Sequence, residues 1–248
     1  MCPFSPQMLR SGPAVSPALI WTLMPRRMWA SSESFTAEGW VMGKVLRFIL
    51  VLWACGASLA HAEAAPVRLL VLGDSLSAGF NLPHDWAFPV KLEQALRAKG
   101  REVTVINASV SGDTTAGGLA RLDWVLADKP DAVILELGGN DGLRGLDPAI
   151  SADNLSAIIA RLKSQRIKVL LAGMQAPPNL GKDYAAEFNQ LYPRLAKTHG
   201  VALYPFILKG VIDQPTHLQP DGVHPNMKGV EAMVREILPF VEKLLGWP

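Results

Sequence analysis

Cysteine is scarce in this chain, and both of its cysteines lie near the start. Cys2 and Cys55 precede residue 63, so no disulfide can join any two residues from Glu63 to the C terminus. This is compatible with an oxidising compartment without requiring one. With 49% hydrophobic and 19% charged residues, the 248-residue chain can bury a sizeable core instead, and we expect one domain over residues 63–248.

The expected domain also lacks an excess of either charge. The whole chain has a formal net charge of +2, but five of its 24 basic and two of its 22 acidic side chains precede residue 63. The remaining 19 basic and 20 acidic side chains nearly cancel. This balance argues against a nucleic-acid partner and against an anionic membrane surface.

The apolar run over residues 48–60 is short of the roughly 18 residues that span a bilayer. A basic stretch precedes it and the sequence Ala-His-Ala ends it at residue 62, a layout typical of a secretory signal peptide. We therefore expect residues 42–62 to be a cleaved signal peptide, the protein to be periplasmic or secreted, and no stable membrane anchor to remain. Lipidation of Cys55 is a weaker alternative, because Trp53 fits a lipoprotein cleavage sequence poorly.

Residues 1–41 show neither helical nor strand periodicity, although they contain three of the seven tryptophans and five of the 19 prolines. A signal peptide normally begins at the initiator methionine. Met42 is therefore the expected start, and residues 1–41 are interpreted as a gene-model extension or a disordered leader.

From residue 67 onward, apolar segments of strand length alternate with segments of helical periodicity. The expected strands are residues 67–72, 103–106, 132–137, 169–172 and 201–204. The expected helices are residues 86–99, 115–127, 148–164, 183–199 and 227–245. Continuously apolar strands separated by helices indicate a parallel sheet covered on both faces, so we predict a three-layer α/β/α sandwich with a five-stranded parallel sheet.

Four polar segments follow the strands, at the carboxyl edge where such sheets bind ligands. They are GDSLS at 73–77, NASVSGDT at 107–114, GGNDGLRG at 138–145 and DGVHPN at 221–226. Each segment alone is explained by an ordinary turn or helix cap. Their occurrence together, in this order, indicates one composite site.

These segments resemble those of the SGNH (GDSL-type) hydrolase family, over about residues 67–227. The residues that match the family's motifs are Ser75, Gly112, Asn140, Asp221 and His224. Within the family, the chain is most similar to the bacterial group of thioesterase I, lysophospholipase L1 and small exported arylesterases. The resemblance implies a flavodoxin-like, SGNH hydrolase fold, with fatty acyl esters, acyl thioesters, lysophospholipids or aryl esters as small-molecule substrates.

The residue types suit a serine hydrolase. A serine hydroxyl needs an adjacent base, so Ser75 is the candidate nucleophile and His224 its base, with Asp221 orienting the imidazole. An α/β-hydrolase would have glycine at position 77, where this chain has Ser77, and would separate its aspartate and histidine widely. The spacing of three residues here favours the SGNH type.

Acyl transfer also requires donors for the developing oxyanion. The candidates are the backbone N–H groups of Ser75 and Gly112 and the side-chain amide of Asn140. Asp74 is expected behind the site, joining its loops by hydrogen bonds.

Two alternatives to ester cleavage stay open on the sequence. One is a polysaccharide O-deacetylase, disfavoured because no aromatic sugar-binding module accompanies the domain. The other is a non-catalytic acyl-binding protein of the same fold, disfavoured because the full motif set is intact. A metal site at Asp221 and His224 would need further ligands at suitable spacing, and the sequence offers none, so no metal or other cofactor is expected.

The segment Gly142, Leu143, Arg144 and Gly145 is the candidate substrate loop, because its glycines flank an apolar side chain beside Asn140. Other apolar residues near the same rim could line an acyl groove, although core packing is the default expectation for any one of them: Leu76, Phe80, Leu82, Met174, Leu180, Phe206 and Ile207.

Overall fold

The computed structural model describes residues 65–248, which contain a five-stranded sheet with helices around it. The strands are β1 (Val67–Gly73), β2 (Val103–Asn107), β3 (Ala132–Glu136), β4 (Lys168–Ala172) and β5 (Ala202–Tyr204). The leader 1–41 and the signal peptide 42–62, which includes Cys55, lie outside the described residues, and both stay predictions.

Eight α-helices lie in the described part of the chain. They are α1 (Ser75–Ala78), α2 (Phe88–Ala98), α3 (Thr115–Ala120), α4 (Leu122–Leu126), α5 (Gly139–Leu143), α6 (Pro148–Ser164), α7 (Lys182–His199) and α8 (Met227–Leu245). Short 3-10 turns occupy His84–Trp86, Pro178–Leu180 and Pro215–His217. Within residues 65–248, none of the helices combines the length and the apolar character that crossing a bilayer requires.

The strands are all parallel, in the order β2-β1-β3-β4-β5. Strand β3 is buried throughout and β1 is buried from Leu69 onward, as expected for a sheet covered on both faces. Helices α2 and α8 pack on each other, α6 packs on α3 and α7, and both α6 and α8 contact β4. The predicted α/β fold with a five-stranded parallel sheet is therefore confirmed.

Two predicted helices differ in their bounds by more than one residue. The segment 115–127 is divided into α3 and α4, because Arg121 leaves the helical backbone conformation. Gly117 and Gly118 weaken this segment as a continuous helix. The segment 86–99 becomes α-helical only from Phe88, because Trp86 ends a 3-10 turn and Ala87 is extended. Pro89 occupies the first turn of the α-helix, where its missing N–H is tolerated.

The strand order creates a switch point between β1 and β3. From β1 the chain crosses to β2 on one side, and it later returns to β3 on the other side. Ligands of open parallel sheets bind in the crevice outside such a point. The segment with Ser75 follows β1 and the segment with Asn140 follows β3, so the fold brings both to this crevice.

Candidate active site

A chain of hydrogen bonds joins Ser75, His224 and Asp221, although Ser75 lies 149 residues from His224. The Ser75 Oγ lies 2.9 Å from His224 Nε2, and His224 Nδ1 lies 2.7 Å from Asp221 Oδ2. The spacing of three residues thus permits direct contact between the aspartate and the imidazole.

The environment of Asp221 fixes the direction of these bonds. Its Oδ1 accepts from the backbone N–H groups of Val223 and His224, both at 3.0 Å. These two bonds, followed by the bond with the His224 side chain, lower the pKa of Asp221 to about 2. An ionised carboxylate only accepts, so Nδ1 carries the proton and Nε2 accepts from the Ser75 hydroxyl.

Gln219 holds the loop that carries His224, and the sequence reasoning missed this residue. Its backbone N–H donates to the His224 carbonyl oxygen at 2.8 Å. Its side-chain Nε2 donates to the carbonyl oxygens of Pro225 at 3.0 Å and Phe80 at 2.8 Å. The Phe80 ring also lies against the imidazole of His224, with ring centroids 4.4 Å apart.

Ser75 begins the short helix α1, directly after β1. Asp74 caps this helix, because its Oδ1 accepts from the Leu76 N–H at 3.0 Å. The helix ends at Gly79, whose φ of +84° lies in the left-handed region that glycine adopts without strain. The serine is thereby held on a tight turn at the edge of the sheet.

The three candidate oxyanion donors lie on adjoining segments, since Asn140 bonds to the chain neighbours of Ser75 and Gly112, but they differ in availability. Within residues 65–248, neither the Ser75 N–H nor the Gly112 N–H donates to a protein acceptor. The Asn140 Nδ2 instead lies 3.1 Å from Asp74 Oδ2 and 2.9 Å from the Asp113 carbonyl oxygen. For Asn140 to donate to a substrate, one of these two bonds must be shared or exchanged.

Two arginines support the Gly112 segment, and the sequence reasoning missed one of them, Arg121. Arg121 Nε pairs with Asp113 Oδ2 at 2.7 Å, and its Nη1 donates to the Ala108 carbonyl oxygen at 2.6 Å. From the candidate substrate loop, Arg144 Nη2 donates to the Gly112 carbonyl oxygen at 3.0 Å. The Gly112 segment is therefore held from both sides.

Asp74 lies behind the site and is almost fully buried. It bonds to Leu76 and Asn140, and so joins the segments that follow β1 and β3. Burial raises the pKa of Asp74 to about 6. Beside it is a second buried acid, Glu136, which the sequence reasoning did not select although it is the one charged residue in an otherwise apolar strand.

The candidate substrate loop is partly helical. Gly142 and Leu143 belong to the single-turn helix α5, and Arg144 and Gly145 follow it. The turn is fixed from inside by Asp141, a buried carboxylate that accepts from the Thr115 N–H at 2.9 Å and the Thr115 hydroxyl at 2.6 Å. Leu143 remains 58% exposed, so its side chain is available at the rim.

The expected acyl groove needs correction. Leu76, Met174 and Ile207 are buried in the core, because α1 and the segments after β4 and β5 turn these side chains toward the sheet. Phe80 is exposed, and three others are only partly buried: Leu82, Leu180 and Phe206. Within residues 65–248, no group of three or more His, Cys, Asp or Glu side chains is arranged to hold a metal ion.

The sheet order and the segments at its carboxyl edge are those of the SGNH class of hydrolases. Residues 71–232 match the GDSL-like Lipase/Acylhydrolase family. The chain belongs to this family and is an esterase.

Three known proteins illustrate the similarity. An arylesterase of Vibrio mimicus is 47% identical over 71% of this chain and 87% of its own. The "Thioesterase 1/protease 1/lysophospholipase L1" of Escherichia coli strain K12 is 39% identical over 74% of this chain and 89% of its own. A crystal structure of TesA, 42% identical, superposes with a TM-score of 0.69 over 71% of this chain and 99% of the other.

Proposed function

We propose that this esterase cleaves carboxylic esters, and acyl thioesters in addition, through a covalent acyl-enzyme on Ser75. The observation that carries the proposal is the chain of hydrogen bonds from Ser75 Oγ to His224 Nε2 and from Nδ1 to Asp221 Oδ2. Both distances lie within the reach that proton transfer requires.

In the first half of the reaction, Ser75 Oγ attacks the acyl carbon while its proton passes to His224 Nε2. Negative charge on Asp221 stabilises the imidazolium that forms. The leaving alcohol or thiol takes the proton from Nε2 as its bond to the acyl carbon breaks. Water then attacks the acyl-enzyme with His224 again as base, which releases the acid and restores Ser75.

The oxyanion of each tetrahedral intermediate would be held by the N–H groups of Ser75 and Gly112. Both lack a protein acceptor within the described residues, so their donation to substrate costs no existing bond. Asn140 adds a third donor by sharing an Nδ2 proton that otherwise bonds Asp74 or the Asp113 carbonyl oxygen.

The names of the relatives favour substrates of the arylesterase, thioesterase and lysophospholipase types, and we propose acyl-CoA as the thioester substrate. A polysaccharide O-deacetylase and a non-catalytic acyl-binding protein are the other two candidates from the sequence. No contact in the site favours either of them. We also propose that the protein is exported after cleavage behind Ala62, which N-terminal sequencing of the exported chain would test: it should begin at Glu63.

The decisive experiment compares the purified enzyme with its Ser75→Ala variant on four substrate types: p-nitrophenyl esters of graded length, a lysophospholipid, an acyl-CoA and an acetylated sugar. We expect turnover of the first three types, and its near abolition in the variant without loss of folding. A fluorophosphonate should add to Ser75 and to no other residue. Retained esterase activity in Ser75→Ala would exclude the acyl-enzyme on this residue.

A further inference from the structure

Glu136 is the last residue of β3 and is fully buried. Its Oε2 accepts from the Asp74 N–H at 3.2 Å and from the Ser77 hydroxyl at 2.7 Å. Its Oε1 has no hydrogen-bond partner among residues 65–248, and no basic side chain of that part of the chain pairs with it. Burying an acid without a paired cation costs free energy of folding, so we expect Glu136 to have a function that offsets this cost.

The segment 73–77 is built around this carboxyl group. Gly73 is directly opposite Glu136 in the β1–β3 pairing, and a Cβ at position 73 would overlap Oε2. Any side chain at position 73 would therefore displace the Glu136 carboxyl group from this place. Asp74 supplies a backbone donor and Ser77 a hydroxyl donor to the same oxygen. Three of the five residues of the segment thus depend on Glu136.

We infer that Glu136 is a positioning residue for catalysis, which holds the turn that carries Ser75 by binding the residues on both sides of it. Asp74 and Ser77 flank the nucleophile, so one carboxyl group fixes the turn at two points. This role rests on the proposed function of Ser75. Small displacements of a reacting group lower rates strongly, because the attack requires close approach and alignment.

The surroundings of the carboxyl group favour its neutral form. Asp74 faces it from the segment after β1, and Tyr192 of α7 is also close, with its hydroxyl donating to the Leu137 carbonyl oxygen at 2.9 Å. Neither group supplies positive charge. Burial, followed by the charge of Asp74, raises the pKa of Glu136 well above its ordinary value. Glutamine, which is neutral and retains the acceptor oxygen, is therefore the conservative replacement.

The experiment compares Glu136→Gln, Glu136→Leu and Ser77→Ala by kcat, by KM and by the rate at which a fluorophosphonate labels Ser75. We expect Glu136→Gln to stay within about twofold of wild type, and Glu136→Leu to lose roughly tenfold or more in kcat with a smaller change in KM. Leu162→Ala, a buried change in α6, is the control for lost stability and should keep kcat per folded enzyme.

A double-mutant cycle separates positioning from general damage. Because Ser77 is proposed to act through Glu136, Ser77→Ala should add little to the kcat loss of Glu136→Leu. Ser77→Ala leaves the packing of Glu136 in place, so it serves as the test if Glu136→Leu does not fold, and it should lower kcat roughly threefold or more.

Three results would overturn the inference. The first is a wild-type kcat in folded Glu136→Leu or in Ser77→Ala. The second is a double variant whose loss in kcat equals the two single losses combined, and the third is a kcat of Glu136→Gln as low as that of Glu136→Leu. Failure of the proposed function can be told apart from failure of this inference. It would appear as esterase activity in Ser75→Ala, or as fluorophosphonate labelling at another residue, whatever the activity of the Glu136 variants.

Discussion

The side-chain amide of Gln219 donates to the carbonyl oxygen of Phe80 at 2.8 Å, across 139 residues of sequence. This bond joins the loop that carries His224 to the turn that carries Ser75. The backbone N–H of Gln219 holds His224 itself through its carbonyl oxygen. A third residue thus joins the two segments that carry the reacting side chains, through bonds to their backbone carbonyl oxygens.

Replacement of Gln219 should disturb this distance. Gln219→Leu removes both side-chain bonds and keeps a similar volume, so we predict a fall in kcat of about three- to tenfold with a smaller effect on KM. Steady-state kinetics on a p-nitrophenyl ester measure both constants. Gln214→Leu is the matched control, because the exposed Gln214 side chain makes no hydrogen bond in the described structure. Equal losses in the two variants would contradict the prediction.

Sequence reasoning predicted those parts of the site that depend on local pattern. Asp221 and His224 are three residues apart, so their contact follows from one loop, and the apolar strands imply the parallel sheet that gathers the four segments. Gln219 and Glu136 were missed for a different reason. Glu136 is visible as a lone charge in an apolar strand, but its partners depend on the register of Gly73 against it. The partners of Gln219 depend on the packing of distant segments. Neither set of partners leaves a local pattern.

The division of helix 115–127 at Arg121 has the same origin. Helical periodicity continues through this residue, but its guanidinium group bonds to Asp113 and to the Ala108 carbonyl oxygen. Those partners lie on the segment after β2, so the break follows from tertiary contacts in addition to the glycines at 117 and 118. Periodicity predicted the helical region and could not place its interruption.

Asn140 should affect the chemical step more than substrate binding. As the proposed third oxyanion donor, its amide would bond to charge that develops only in the transition state, so Asn140→Ala should lower kcat by roughly 100 to 1,000-fold with a smaller change in KM. Single-turnover kinetics with a p-nitrophenyl ester would measure the acylation rate directly. Asn179→Ala, at an exposed residue of a 3-10 turn, should leave that rate unchanged. A selective rise in KM for Asn140→Ala would assign the amide to ground-state binding instead.

The lowered pKa of Asp221 predicts a specific acid sensitivity. The group has a pKa of about 2 when folded and 3.8 as its reference value, so the folded state binds fewer protons between these values. Its contribution to stability is therefore complete above pH 3.8 and is lost as the pH falls toward 2. Asp221→Asn should lose less stability than wild type across that interval. Thermal unfolding at several pH values measures the difference, and parallel pH dependences of the two proteins would contradict it.

Leu143 offers the clearest test of acyl selectivity. Its side chain is 58% exposed, on the turn whose Arg144 bonds to the Gly112 carbonyl oxygen, so it lies beside the proposed oxyanion donors. Leu143→Ser should lower kcat/KM for medium and long p-nitrophenyl esters and spare the acetate, because only a longer chain can bury apolar area against this side chain. At ~0.8 kcal/mol for each buried CH₂, loss of one or two such contacts corresponds to roughly four- to fifteenfold in kcat/KM.

Ile150→Ser is the matched control for Leu143→Ser, since Ile150 is an apolar residue of nearly equal exposure, 57%, on the neighbouring helix α6. It should leave the ratio of long-chain to acetate activity unchanged. An equal loss on acetate and on long esters in Leu143→Ser would remove the loop from the determination of chain length. The remaining candidates for contact with the acyl chain would then be the partly exposed side chains of Phe80, Leu82, Leu180 and Phe206. The side chains of Leu76, Met174 and Ile207 are buried in the core.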